Sequence, residues 1–222
     1  MDQPGLDPAA HRRALDGLAR LNAASGAFRY LWAPIAELAR STKGRPLRVL
    51  DVATGGGEFP VTLMHWARRA GLPIEAAGCD RSETALEYGR RTAVAVGVPV
   101  TFFPQDVLSG PLPSGYDVVT CSLFLHHLDE GEAVRLLRAM AAAAGRLVLV
   151  NDLARGRLNY LLIWLATRVL TRSPVVRTDG PLSVRAAFTP REALSLAEKA
   201  GLTGATVRRC FPCRFLLTWR RG

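Results

Sequence analysis

Leu47-Arg48-Val49-Leu50-Asp51-Val52-Ala53-Thr54-Gly55-Gly56-Gly57-Glu58-Phe59-Pro60 is the stretch on which the reading of this chain turns. An aliphatic and β-branched run, a glycine cluster and a proline placed for a first helical turn predict a buried strand, a tight turn and a helix. That is the first half of a nucleotide-binding βαβ unit. Glycines at such a turn let the backbone bend sharply and let a ligand approach main-chain N–H groups at the helix N-terminus. A phosphate-cradling P-loop would need Gly-Lys-Ser/Thr, whereas Gly57 is followed by Glu58-Phe59. A dinucleotide loop would read Gly-x-Gly-x-x-Gly; counted from Gly55 and Gly57, its last position is Pro60, a poor fit where a helix must pack closely. Asp51 argues the same way, because a carboxylate at the strand's end repels a pyrophosphate and welcomes a cation.

Working outward, residues 59–70 read as a helix and Ile74 to Asp80 as a second strand ending in an acid. The interval from Asp51 to Asp80 has the length of one strand-helix-strand crossover. An acid at the tip of a second parallel strand faces a ribose, where its two oxygens can accept from both hydroxyls. Arg81 beside it either stacks on an adenine or stays solvated. Ser82 caps a helix running to Val96, with Glu83 in its first turn. Strand three, Val98 to Pro104, leads to Gln105-Asp106-Val107, and an Asp after a strand is by itself a common turn former. Strand four begins at Tyr116 and emerges at Ser122; His126 and His127 follow at its carboxyl end, where open α/β sheets bind ligands. A neutral imidazole there can take a proton from a phenol or enol. After a helix from Glu130 to Ala144, strand five (Gly145 to Val150) ends in Asn151-Asp152, which point at the same cleft. Thr189, Pro190 and Glu192 form a capping box for a last helix through Ala200. Thr203 to Cys210 and Cys213 to Trp219 read as a terminal strand pair. Before all of this, residues 8–24 and 28–41 carry helical apolar stripes (Leu15, Leu18, Leu21; Leu31, Ile35, Leu38).

The pattern Asp51-x-Ala53-x-Gly55-x-Gly57 resembles motif I of the class I S-adenosylmethionine-dependent methyltransferases, with Ala53 where the family usually carries its first glycine. The segment after strand four resembles that of the ubiquinone/menaquinone-biosynthesis type. The resemblance covers about residues 47 to 210. It implies a Rossmann-like α/β fold: a seven-stranded, mostly parallel sheet with a terminal antiparallel hairpin and helices on both faces. It divides the chain into an N-terminal helical lid (1–45) and a cofactor-binding domain (46–222) with an apolar helical insert at 153–190. It implies S-adenosylmethionine as cofactor, its ammonium and sulfonium near Asp51, and contacts from Ala53, Thr54, Gly55, Gly57, Asp80, Arg81 and Ser122. Asp106 would meet the adenine amino group and Val107 would offer its backbone. A lid across the cleft brings Asn22, Phe28 and Tyr30 to it, or else these helices only pack on the sheet. An insert between strands five and six commonly roofs the acceptor site, so Tyr160 joins Asn151, Asp152 and Arg185 as acceptor contacts, and the acceptor should be greasy.

Methyl transfer is an in-line displacement at an activated carbon, so few residues need be catalytic; His126 and His127 are the candidates. The expected reaction is O-methylation of a hydroxylated aromatic, polyketide-like or quinone-like metabolite, as in secondary metabolism. C-methylation of the same rings uses a similar site. A catalytically idle cofactor-binding partner protein and an RNA methyltransferase are the readings from other classes.

The bulk numbers agree with one domain with additions, at 222 residues. The formal charge of +10 comes from 29 basic residues of which only Lys43 and Lys199 are lysines. The arginines are scattered without interleaved aromatics, so no nucleic-acid partner is expected. No metal is expected, because no carboxylate cluster remains after the cofactor acids. Cys210-Phe211-Pro212-Cys213 is a lone C-x-x-C at a hairpin, read as turn packing rather than zinc or redox chemistry. The polar start Met1-Asp2-Gln3-Pro4-Gly5 leads to an expected cytoplasmic setting. Leu158 to Leu170 is too short to span a bilayer. Its apolar face is left to peripheral membrane contact, a dimer interface or the domain's own core, in a monomer or homodimer.

Overall fold

The computed structural model describes residue 26, residues 28–171 and residues 174–222. The predicted helix at 8–24, with Asn22, lies outside them. The described elements are α1 (Arg29–Ser41), β1 (Leu47–Val52), α2 (Glu58–Ala70), β2 (Ile74–Asp80), α3 (Glu83–Val96), β3 (Thr101–Pro104), β4 (Tyr116–Ser122), a 3-10 turn (Leu125–His127), α4 (Glu130–Ala143), β5 (Ala144–Leu153), α5 (Arg157–Leu170), α6 (Pro174–Ala186), α7 (Pro190–Lys199), β6 (Thr206–Cys210) and β7 (Arg214–Arg220).

The seven strands form one sheet in the order β3-β2-β1-β4-β5-β7-β6. β1 to β5 run parallel and β7 pairs antiparallel with both β5 and β6. The strand order reverses between β1 and β4, the switch point where such sheets open a crevice at their carboxyl edge. Central strands read as continuous apolar runs because helices cover both faces. On one face α1, α2 and α3 pack Leu31, Ile35, Phe59, Leu63 and Leu86 against Val49, Val118 and Leu149. On the other, α4 and α7 pack Leu136, Leu137, Met140 and Leu196 against Leu50, Val119, Val148 and Phe215. α1 thus belongs to the sheet's own layer. Of the two expectations for Phe28, cleft contact or packing on the sheet, the second describes it: it lies in this core with its ring 5.4 Å from that of Phe59.

Local signals place most boundaries. Ser82 accepts a hydrogen bond from Ala85 N, and Asp129–Glu132 and Thr189–Glu192 form full capping boxes. Four elements differ from expectation, one being β6, which starts at Thr206 rather than Thr203. β3 is four residues long, starting at Thr101 rather than Val98. β5 runs on to Leu153, because Phe215 and Arg214 of β7 continue its ladder opposite Asp152 and Leu153. The insert holds a second helix, α6, which runs on through Gly180-Pro181. A Cβ on Gly180 would lie 2.8 Å from Thr167 Cγ2, so the glycine serves the close crossing of α5 and α6.

Candidate active site

Alternation along the strands sets one polar row at the carboxyl edge. Asp51 follows Leu47 and Val49 onto the α1/α2 face; Thr120 and Ser122 follow Val118, Asn151 follows Leu149, and Arg214 precedes Leu216. The registers Asp51↔Thr120, Ser122↔Asn151 and Asn151↔Leu216 carry this row across β1, β4, β5 and β7.

Asp51 is 2% exposed. Thr54 Oγ1 donates to its Oδ2 at 2.6 Å and Thr120 Oγ1 to its Oδ1 at 2.7 Å. Burial, only partly offset by these two hydroxyls and reinforced by the charge of Asp80, pushes Asp51 up to about 7. The pocket therefore holds an acid whose ionised form lacks a cation. Asp80, at the tip of β2, accepts from Gly55 N (2.8 Å) and Ser82 N (2.9 Å), latching the glycine loop to the start of α3. Gly55 has φ +54° and nothing within 4 Å of a Cβ position, so the loop backbone borders open space. Gly57 differs: with φ +71°, a Cβ there would lie 2.5 Å from the Phe102 ring.

Asp106 accepts from Ser109 Oγ (2.6 Å) and Leu108 N (2.9 Å), an Asx-type turn. Those bonds, the hydroxyl's first, hold it below the usual carboxylate range. It and Arg81 are exposed, while the Val107 side chain is buried.

Beyond β4 the chain makes the 3-10 turn that carries both histidines. His126 is buried: its Nδ1 lies 2.7 Å from Asp152 Oδ1, and its backbone N–H donates to Asp152 Oδ2 at 3.2 Å. Burial alone would raise Asp152, but attraction to His126 and the bonds from His126 and Leu153 N bring it below its ordinary value. Asp152 is therefore an anion, which can only accept, so Nδ1 carries a proton, and in the neutral imidazole the lone pair is on Nε2. Both oxygens of Asp152, expected to hold the acceptor, serve His126 here. His127 is exposed, its ring centroid 4.1 Å from that of His126.

Ser122 Oγ is buried and finds no hydrogen-bond partner in the structure. Asn151 is fully buried, and its carbonyl accepts from Leu123 N at 3.0 Å. Tyr160 packs with Leu123, Leu153, Ile163, Val184 and Ala187, so the inner face of the insert sits on the ends of β4 and β5. Tyr30 donates to the carbonyl of Phe211 at 2.7 Å, tying α1 to the β6–β7 hairpin at the same edge. Arg185 is exposed on α6, and the arginine beside Asp152 is Arg214, which sequence reasoning missed. Arg214 is 6% exposed; burial pushes its guanidinium down to about 10, with Asp152, Cys213 and Glu58 partly offsetting it, so it remains a cation at neutral pH. A charged residue opening an otherwise apolar strand was the available signal. Thr120 was the other omission, a hydroxyl within the buried run of β4.

Among the described residues, three non-glycine residues have positive φ: Ala53 (51°), Leu123 (57°) and Cys213 (58°). They follow β1, follow β4 and precede β7, all at this edge. Left-handed backbone costs each about 1–2 kcal/mol, and such strain collects at working sites. No group of three His, Cys, Asp or Glu among the described residues could hold a metal ion.

The residues present suit a cationic nucleoside ligand: a buried acid short of a cation, an open glycine turn, an acid at the second strand's tip and an orphaned hydroxyl at the switch point. Comparison with known proteins agrees. A methyltransferase domain family matches residues 49–145. The chain is 30% identical over 176 residues to a ubiquinone biosynthesis O-methyltransferase of Bordetella parapertussis, covering 78% of this chain and 68% of that protein. It is 36% identical over 108 residues to a demethylmenaquinone methyltransferase of Thermus thermophilus, covering 48% of this chain and 47% of that one. Among solved structures, the magnesium protoporphyrin IX methyltransferase of Synechocystis PCC 6803 with bound SAM matches with a TM-score of 0.61 at 18% identity, covering 99% of this chain and all of that one, a likeness of fold.

Proposed function

The chain belongs to the class I S-adenosylmethionine-dependent methyltransferases, and on that premise we propose that it methylates an oxygen of a hydrophobic, hydroxylated small molecule of aromatic, polyketide-like or quinone-like kind. The names of the relatives, from ubiquinone biosynthesis and menaquinone formation, support that acceptor class. The cofactor is S-adenosylmethionine, which supplies a methyl group already activated by its sulfonium.

In this reading Asp51 faces the cofactor's positive charges, Ala53, Thr54, Gly55 and Gly57 shape the loop beside it, and Asp80 takes the ribose. Arg81, Asp106 and Val107 flank the adenine. Ser122 stays with the cofactor at the switch point, and Asn151 and Arg214 line the acceptor side, where a fixed cation favours the oxyanion. Tyr160 and the insert keep water from the reacting centre. Tyr30 borders the cleft from α1.

The single observation that carries O-methylation is the His126–Asp152 pair. An oxygen nucleophile must shed a proton, and Asp152 fixes the tautomer in which His126 Nε2 can take it, then stabilises the imidazolium that results. His127 stacks beside it as an orienting group. The test is incubation with labelled S-adenosylmethionine and catechols or hydroquinones bearing short alkyl tails, with products mapped by mass spectrometry. Label on oxygen supports the proposal. Label on ring carbon, or no turnover by a protein that binds S-adenosylhomocysteine, refutes it.

A further inference from the structure

Six of the nine exposed large hydrophobic side chains of the described residues lie on the insert: Leu158, Leu161, Leu162, Leu165 and Val169 on α5, and Leu182 on α6. The α5 positions recur at intervals of three and four, one stripe along the helix, and are 37% to 80% exposed. Soluble surfaces rarely leave such a stripe uncovered. The segment 155–186 also holds six arginines against one acid, Asp179. Arg157, Arg168 and Arg185 are exposed, and Arg168 lays its guanidinium 3.7 Å from the centroid of Trp164. Arg155 is engaged by Glu192.

We propose that α5 lies on an anionic lipid surface, its leucine stripe in the acyl boundary and its arginines among the phosphates. No described helix is long and apolar enough to cross a membrane. At 14 residues α5 spans about 21 Å, short of the roughly 30 Å hydrocarbon core, so it lies along the surface. Charge decides between occupants. A second copy would set arginine rim against arginine rim, whereas phosphate headgroups complement it. The opposite face of the insert, with Tyr160 and Ile163, sits on Leu123 beside the histidine turn. Docking would therefore hold the acceptor side of the cleft against the phase in which a greasy acceptor dissolves. The docking itself stands whether or not the acceptor is as proposed above.

The test is co-sedimentation of the full chain with phosphatidylglycerol vesicles and with phosphatidylcholine vesicles. Binding to the first, at least about tenfold weaker to the second and reduced by salt, is expected. Leu161→Glu with Leu165→Glu should lower it at least about tenfold, with S-adenosylhomocysteine binding unchanged. Because these sites are half exposed, the variants should fold; if they do not, Arg157→Gln with Arg168→Gln asks the same question and should weaken binding several-fold. Absence of binding to phosphatidylglycerol, binding unmoved by the substitutions, or a solution dimer that Leu161→Glu dissolves would each overturn the proposal.

Discussion

Replacing Asp51 with asparagine keeps the shape of the side chain and removes its charge. In the free protein the acid titrates at about 7, against 3.8 in an unfolded chain. Between those values the folded state holds a proton that the unfolded state has lost, so stability falls as pH rises through the window. At 1.36 kcal/mol per unit, the ionised carboxylate costs the ligand-free fold about 4 kcal/mol above pH 7 and nothing below about pH 4. The Asp51→Asn protein should thus match the parent near pH 4 and be about 3–4 kcal/mol more stable at pH 8, after allowing for a weaker bond from Thr54 or Thr120. For a chain this long that is a rise in Tm of roughly 10 °C. Urea unfolding at pH 4.5, 6 and 8 measures it. Cofactor binding should move the other way. Only the ionised acid attracts the sulfonium and ammonium, so the parent's log affinity should rise with a slope near one between pH 5 and 6.5, releasing about one proton, and the variant's should be weak and flat. Thr120→Val removes one stabilising hydroxyl and should shift that slope to higher pH. A variant less stable than the parent at pH 8, or one binding S-adenosylmethionine with the parent's pH dependence, would refute the reasoning.

Asp152→Asn should leave cofactor affinity intact and lower kcat by about 10²–10⁴, because an amide no longer fixes the His126 tautomer or stabilises its protonated form. A single-turnover rate unchanged from the parent would exclude His126 as base. Gly57→Ala should destabilise by about 3 kcal/mol, combining left-handed backbone strain with collision against the buried Phe102 ring, and chemical denaturation will show it. If the loss is under about 1 kcal/mol, the loop is softer than its packing indicates.

The helices and strands of the doubly wound sheet were legible because their signals are local: apolar runs at strand period, caps such as Ser82, Asp129 and Thr189, and glycines at Gly55 and Gly57 where the chain must turn left-handed. The acids at Asp51 and Asp80 were legible for the same reason, since a strand end fixes where a residue stands without reference to the rest of the chain.

What only the tertiary structure decided depends on neighbours distant in sequence. Asp152 stands 26 residues from His126, and their pairing follows from β5 lying beside β4 and from strand parity turning Asp152 toward the histidine turn. Arg214 reaches the site because β7 inserts antiparallel next to β5, a pairing that also lengthens β5. Gly180 lies mid-helix because α5 crosses α6 against it, and the leucines of α5, which the sequence leaves open to lipid, a second copy or the core, face outward. Periodicity says that a stripe is apolar; which surface it meets is a property of what packs around it, and no local pattern carries that.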